Sequence, residues 1–161
     1  MNLTPIGIVH SPLTNPSDAP RQGREGAPSA WLEIYPQYTE GLLGIRPGSE
    51  LILITWLHLA ERDRLQTHPR GDRSQPLTGV FSNRSPHRPN PLGLHRVRVL
   101  AVDPAITRLR DGAGRLDPRQ EHSGAGADCA HGCRLHVEPL EAVDGTPILD
   151  LKSVMSGVVD W

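Results

Sequence analysis

Residues 79–94 read GVFSNRSPHRPNPLGL and constrain this chain more than any other stretch. Pro86, Pro89 and Pro91 fix their own φ and push Ser85, Arg88 and Asn90 toward extended backbone. Prolines so closely spaced exclude both a helix and a central strand. The segment is expected to be a stiff loop, anchored by Val80-Phe81 before it and by an alternating run after it. Stiffness reduces the entropy lost when a loop grips a ligand. Arg84, Arg88, Asn83 and Asn90 carry planar donor heads suited to carboxylate, phosphate or base edges. A rigid connector with merely solvated arginines is the plainer alternative, and it stays open on chemistry alone.

The remaining composition agrees with a turn-rich β domain. Gly and Pro each occur 16 times in 161 residues, and aromatic residues make up only 4%. That balance favours short strands and many turns over a helical bundle. The length suffices for one domain with a real core, here taken as residues 1–161. Net charge is only −1, but it is unevenly placed. Residues 58–98 hold eight Arg and four His against three acids, whereas the rest has nine basic residues against fifteen acidic ones. A local cation source on a near-neutral chain points to an anionic partner, either nucleic acid or a phosphorylated small molecule. The N-terminus has neither a basic region nor a long apolar segment, so a soluble, cytoplasmic protein with no membrane partner is expected.

Several runs read as strands. Residues 6–9 are a short apolar strand, and residues 31–35 alternate. Residues 51–57, LILITWL, form a continuous apolar run expected to be buried on both faces, with His58 emerging at its end. Residues 96–102 follow as a strand with one wet, basic face, and 106–109 are another short strand. Residues 38–45 fit a helical turn or two with Thr39 as cap. Residues 111–132 have no periodicity and read as an extended loop. Residues 135–137 and 147–151 are strands separated by the Asp144-Gly145 turn. The sum is six to eight short strands with few short helices: a mainly β, compact, single-domain antiparallel barrel-like fold, not a Rossmann fold.

Common catalytic signatures are missing. No G-x-G-x-x-G follows a strand, Lys152 is the only lysine, and no nucleophile elbow is present. Cys129, His131 and Cys133 make half a metal site at best, so no metal is expected. His136 alternates with Leu135 and Val137 and should face solvent. Trp31, Trp56 and Trp161 are read as packing residues.

Five segments, taken together, resemble the TsaA-like (TrmO-type) family of tRNA methyltransferases. They are IGIVHSP (6–12), APRQG (19–23), WLH (56–58), the loop at 79–94 and LEAVDGTPILDLK (140–152). The resemblance implies a β-barrel homodimer that binds S-adenosyl-L-methionine near the subunit interface. It further implies N6-methylation of threonylcarbamoyl-adenosine next to the tRNA anticodon. Carried over by motif, the cofactor contacts would be Arg21, Gln22, Gly23, His58, Leu59, Arg84, Leu94, Glu138, Pro139, Leu140 and Glu141. Arg88 and Asn90 would face the substrate nucleotide, and Asp144 or His58 would accept its proton. Two features depart from the family pattern. Its K-P-Y is Lys152-Ser153-Val154 here, and residues 111–132 are longer than expected. The C-terminal domain that some relatives carry is expected to be absent. A regulatory or sensing protein that binds the cofactor without methylating tRNA, or a methyltransferase for another substrate, is the alternative reading.

Overall fold

Six of the apolar and alternating runs become strands in the computed structural model, which describes residues 2–102 and 132–155, and two short unpredicted strands bring the described total to eight. They are β1 (Gly7–His10), β2 (Ala30–Ile34), β3 (Glu50–Trp56), β4 (Gln66–Thr67), β5 (Thr78–Gly79), β6 (Leu92–Val102), β7 (Cys133–Glu138) and β8 (Pro147–Ser153). Six of them close into a barrel in the order β1-β2-β7-β6-β3-β8, with antiparallel neighbours throughout. Closure leaves no free sheet edge, which suits strands this short. β4 and β5 pair separately within the long connection between β3 and β6.

A small barrel has one inner face, and alternation along each strand decides what fills it. β6 turns Val97 and Val99 inward and Arg96 and Arg98 outward, as the alternation predicts. β3 differs from expectation. Its burial alternates, with Leu51, Leu53 and Thr55 inside and Ile52, Ile54 and Trp56 half-covered outside. The run is uniformly apolar because its outer face is partly sheltered, not because helices or a second sheet bury it. Leu32, Ile34, Leu53, Leu135 and Ile148 are fully enclosed in the core. Each such side chain contributes about 1.5–3 kcal/mol of transfer free energy.

Among the described residues, helix is limited to four short 3-10 segments. The longest, Pro36–Leu42, covers one end of the barrel. Thr39 lies inside it rather than capping it. Its hydroxyl donates to the Pro36 carbonyl at 2.9 Å, and Tyr35 occupies the cap position. Val80 anchors the proline–arginine loop in the core as expected, but Phe81 stands 80% exposed. The predicted strand at 106–109 and residues 111–131 of the predicted loop lie outside the described residues.

Candidate functional site

Antiparallel closure sorts the connections onto two rims. The C-terminal ends of β1, β3 and β7 and the N-terminal ends of β2, β6 and β8 share one rim. The loops at 11–29, 57–91 and 139–146 therefore rise from the same end of the barrel. Every expected site residue except Leu94 and Glu138 lies in these three loops. Glu138 ends β7 at the same rim.

The loops meet at a 3-10 turn, Gly23–Glu25. On one side Glu25 accepts from the Arg70 guanidinium at 3.2 Å. Nearby, the Ser74 hydroxyl and backbone N–H hold the Asp72 carboxyl below the usual carboxylate range, with smaller help from His68 and Arg21. On the other side Gly23 packs on the third loop. A Cβ there would lie 3.1 Å from both Glu141 Oε2 and Pro139 Cγ. The expected Arg21-Gln22-Gly23 and Glu138–Glu141 groups are thus brought together. Leu140 is wholly buried, and its N–H donates to the Pro28 carbonyl at 3.0 Å, so only its carbonyl can face a ligand.

Glu141 is held from below. Its Oε1 lies 2.8 Å from His95 Nδ1, and His95 Nε2 lies 2.9 Å from the Thr55 hydroxyl. Thr55 is 0% and His95 5% exposed, both on the inner barrel face. Gly93 makes room for this line, since a Cβ there would collide with the Thr55 hydroxyl and His95 Nε2. Neither Thr55 nor His95 was among the expected site residues. The signal was present: His95 shares strand parity with Val97 and Val99, and Thr55 with Leu51 and Leu53. A polar side chain on the core parity of two adjacent strands must find a partner inside.

The proline–arginine loop is stitched from within. Arg88 Nε donates to the Ser85 carbonyl at 2.8 Å, and its Nη2 donates to the carbonyls of Val80 at 2.8 Å and Asn83 at 2.7 Å. Expected to face substrate, Arg88 is instead committed to closing its own loop, because the prolines leave those carbonyls without strand partners. Asn83 Nδ2 adds bonds to the Thr78 hydroxyl and the Gly79 carbonyl. Arg84 is exposed and has no bonding partner among the described residues. Asn90 lines a cleft of about 440 Å³ on the outer wall, together with Trp56, Arg62, Pro147 and Leu149. In that cleft the Arg62 guanidinium lies 5.2 Å from the Trp56 ring centroid.

The other expected residues are more scattered. His58 and Leu59 form an exposed turn after β3. Leu94 points out from the barrel wall, 63% exposed, and pairs with Ile54. Asp144 Oδ1 accepts from the Ser11 N–H at 3.0 Å, fastening the Asp144-Gly145 turn to the end of β1. Trp31 and His136 stack at 4.6 Å on the outer wall, so His136 is less solvated than its alternation suggested. Cys133 is buried at the start of β7. Cys129, His131 and Trp161 lie outside the described residues.

Known proteins share this arrangement. The sequence profile of the tRNA-methyltransferase O N-terminal domain matches residues 8–158. An S-adenosyl-L-methionine-binding protein of Archaeoglobus fulgidus is 36% identical over 152 residues, spanning 94% of this chain and 88% of that protein. A relative in Methanothermobacter thermautotrophicus, described as a probable S-adenosyl-L-methionine-binding protein, matches with the same identity and coverage. The crystal structure of TrmO from Pseudomonas aeruginosa superposes with a TM-score of 0.62 at 26% identity. This chain is covered completely in that superposition but spans only 60% of the TrmO chain. By the match over residues 8–158, the chain belongs to the family of the tRNA-methyltransferase O N-terminal domain.

Proposed function

We propose that this protein is an S-adenosyl-L-methionine-dependent methyltransferase that acts on N6 of threonylcarbamoyl-adenosine next to the tRNA anticodon. The observation that carries the reading is the rim itself. Two loops distant in sequence meet there at Gly23, Pro139 and Glu141, and the third reaches the same turn through Arg70 and Glu25. The missing side chain at Gly23 lets these loops close into a cradle, since a Cβ there would crowd Pro139 and Glu141, and a carboxylate held by His95 stands at the contact. Such a cradle fits a cationic nucleoside with a polar tail. The names of the relatives from Archaeoglobus fulgidus and Methanothermobacter thermautotrophicus support the same ligand.

When bound, the cofactor supplies an electrophilic methyl group. The residues of this chain bind and orient. Arg84, exposed and unpartnered, is placed to meet the cofactor's carboxylate or a tRNA phosphate. Arg21 and Gln22 precede Gly23 in the first loop, His58 and Leu59 stand on the loop after β3 at the same rim, and Asn90 in its cleft is available to the substrate nucleotide. An acylated N6–H is more acidic than a free adenine amine, so positioning with modest base assistance suffices. Asp144 already serves the Ser11 turn, which leaves His58 as the proton acceptor in this reading. Exposed Leu92 and Leu94 beside half-covered Ile54 and Trp56 form an apolar strip on the outer wall, which supports assembly as a homodimer.

Purified protein incubated with methyl-labelled cofactor and tRNA from a strain lacking this activity should label one modified adenosine. Tight cofactor binding without transfer to any RNA would favour the sensing alternative, which the binding-protein names of the relatives keep in view. A protein that binds no cofactor would sink both readings.

A further inference from the structure

We propose that Thr55 and His95 are positioning residues that aim the Glu141 carboxylate at positive charge on the bound cofactor. The site would then prefer the sulfonium form over the neutral thioether left after methyl transfer. This rests on the cofactor reading above and adds a reason why the spent product leaves.

The argument begins with proton placement. A carboxylate only accepts, so His95 Nδ1 must carry the proton it shares with Glu141 Oε1 at 2.8 Å. Nε2 is then the accepting nitrogen, and the Thr55 hydroxyl donates to it at 2.9 Å. Thr55 thereby fixes the tautomer, and the tautomer fixes the carboxylate. The line costs the barrel a polar pair on its inner face, where β3 and β6 otherwise place Leu51, Leu53, Val97 and Val99. It also requires Gly93, whose missing side chain leaves space for both polar heads.

What this arrangement delivers is one free carboxylate oxygen. With Oε1 tied to His95, Oε2 is the atom beside Gly23, at the junction of the first and third loops. Of the other acids on this rim, Glu25 is paired with Arg70 and Glu61 with Arg64, while Glu138 and Asp144 are exposed to solvent. Glu141 has no Arg or Lys within ion-pairing distance among the described residues, and its side chain is 19% exposed. A partly buried carboxylate with one oxygen held by a histidine and no Arg or Lys beside it is suited to a ligand that brings its own positive charge.

The two forms of the cofactor share the ribose, the amine and the carboxylate, and differ in charge at sulfur. Equilibrium titration of S-adenosylmethionine and S-adenosylhomocysteine into the full chain therefore isolates the sulfonium term, with a thermal melt of each variant as the folding control. Glu141→Gln keeps the shape and removes the charge. It should weaken S-adenosylmethionine about tenfold and leave S-adenosylhomocysteine within about twofold. His95→Leu should erase the same preference. His95→Asn, which returns an N–H at the Nδ1 position, should restore most of it. If His95→Leu does not fold, Thr55→Val carries the test, with a smaller loss of preference in the same direction. Equal weakening of both ligands by Glu141→Gln, or no weakening, overturns the proposal. An unchanged preference in His95→Leu overturns the positioning role. Wild-type protein that binds neither ligand overturns the cofactor reading beneath it instead.

Discussion

The two ends of this barrel are built from the same six strands, yet they close in opposite ways. At one end the 3-10 segment Pro36–Leu42 places Leu42 over the core, with Tyr38 and Ile45 packed beside it. At the other end the core gives way to Thr55, His95, Thr146 and Glu141. The change occurs within single strands. β3 runs Leu51, Leu53, Thr55 along its inner face, and β6 runs Val99, Val97, His95, Gly93 toward the same rim. Apolar closure needs only volume, whereas polar closure needs every donor and acceptor matched. One end is therefore a plug, and the other is the candidate site.

The contrast can be broken at either end, and the largest effect should come from the shared middle. Leu53→Ala, at a position with no exposure, should cost about 2–5 kcal/mol, read from the denaturant midpoint of unfolding. A smaller loss would mean that the barrel interior collapses around the gap more readily than close packing allows. Next comes Gly93→Ala, where the new methyl must displace Thr55 or His95. About 1–3 kcal/mol should disappear in a thermal melt, and cofactor affinity should fall with it. If stability drops while affinity holds, the polar line is scaffolding only.

Arg88→Ala tests the loop above the polar end. Losing three bonds to backbone carbonyls should cost about 1–2 kcal/mol and speed amide exchange or proteolysis within residues 80–90. Uniform exchange across the loop in wild type and variant alike would show that the prolines alone hold it. At the plug, Thr39→Val removes one hydroxyl bond to Pro36 and should cost only about 0.5–1.5 kcal/mol, with cofactor affinity unchanged. An affinity change there would erase the functional distinction between the ends.

The smallest effect is expected from pH and from the outer wall. The hydrogen bond and charge of Arg96, with a lesser part from Arg98, hold the Glu50 carboxyl below its ordinary value of 4.5. The folded form then favours the ionised state. Its contribution is complete above that ordinary value and fades as pH falls through the lower folded value. Glu50→Gln should lower stability slightly at neutral pH, and the difference from wild type should vanish as pH falls through the lower folded value. A difference that persists in acid would show that the pair matters beyond its solvent-screened charge.

Much of this contrast was legible before any fold was known, and the part that was not has a physical cause. Pro86, Pro89 and Pro91 restrict φ wherever they occur, so the loop could be read without tertiary information. Gly145 after Asp144 marked its turn for the same kind of reason, and it adopts φ 75°. The barrel order could not be read, because short antiparallel strands pair by contacts remote in sequence. For LILITWL, a run of apolar residues cannot report whether its outer face is sheltered by a second layer or only by neighbours. His95 was hidden by attention to Arg96 and Arg98, whose parity defines the wet face. Its own parity put it inside, but the partners that make an interior histidine tolerable lie 40 and 46 residues away at Thr55 and Glu141. The bonds of Arg88 to its own loop were hidden because donors in a basic stretch suggest an outside partner, while carbonyls of the loop lie nearer.

The turn at Gly23–Glu25 has a mechanical consequence. Three residues bridge two loops that share no other described tie: Glu25 grips Arg70, and Gly23 rests on Pro139 and Glu141. Besides the paired strands β3 and β8 that carry them, this one short span joins the two loops. The span works as a clasp, and a weak one: its Arg70 half is a solvent-exposed ion pair, so opening that half should release the long connection at little cost.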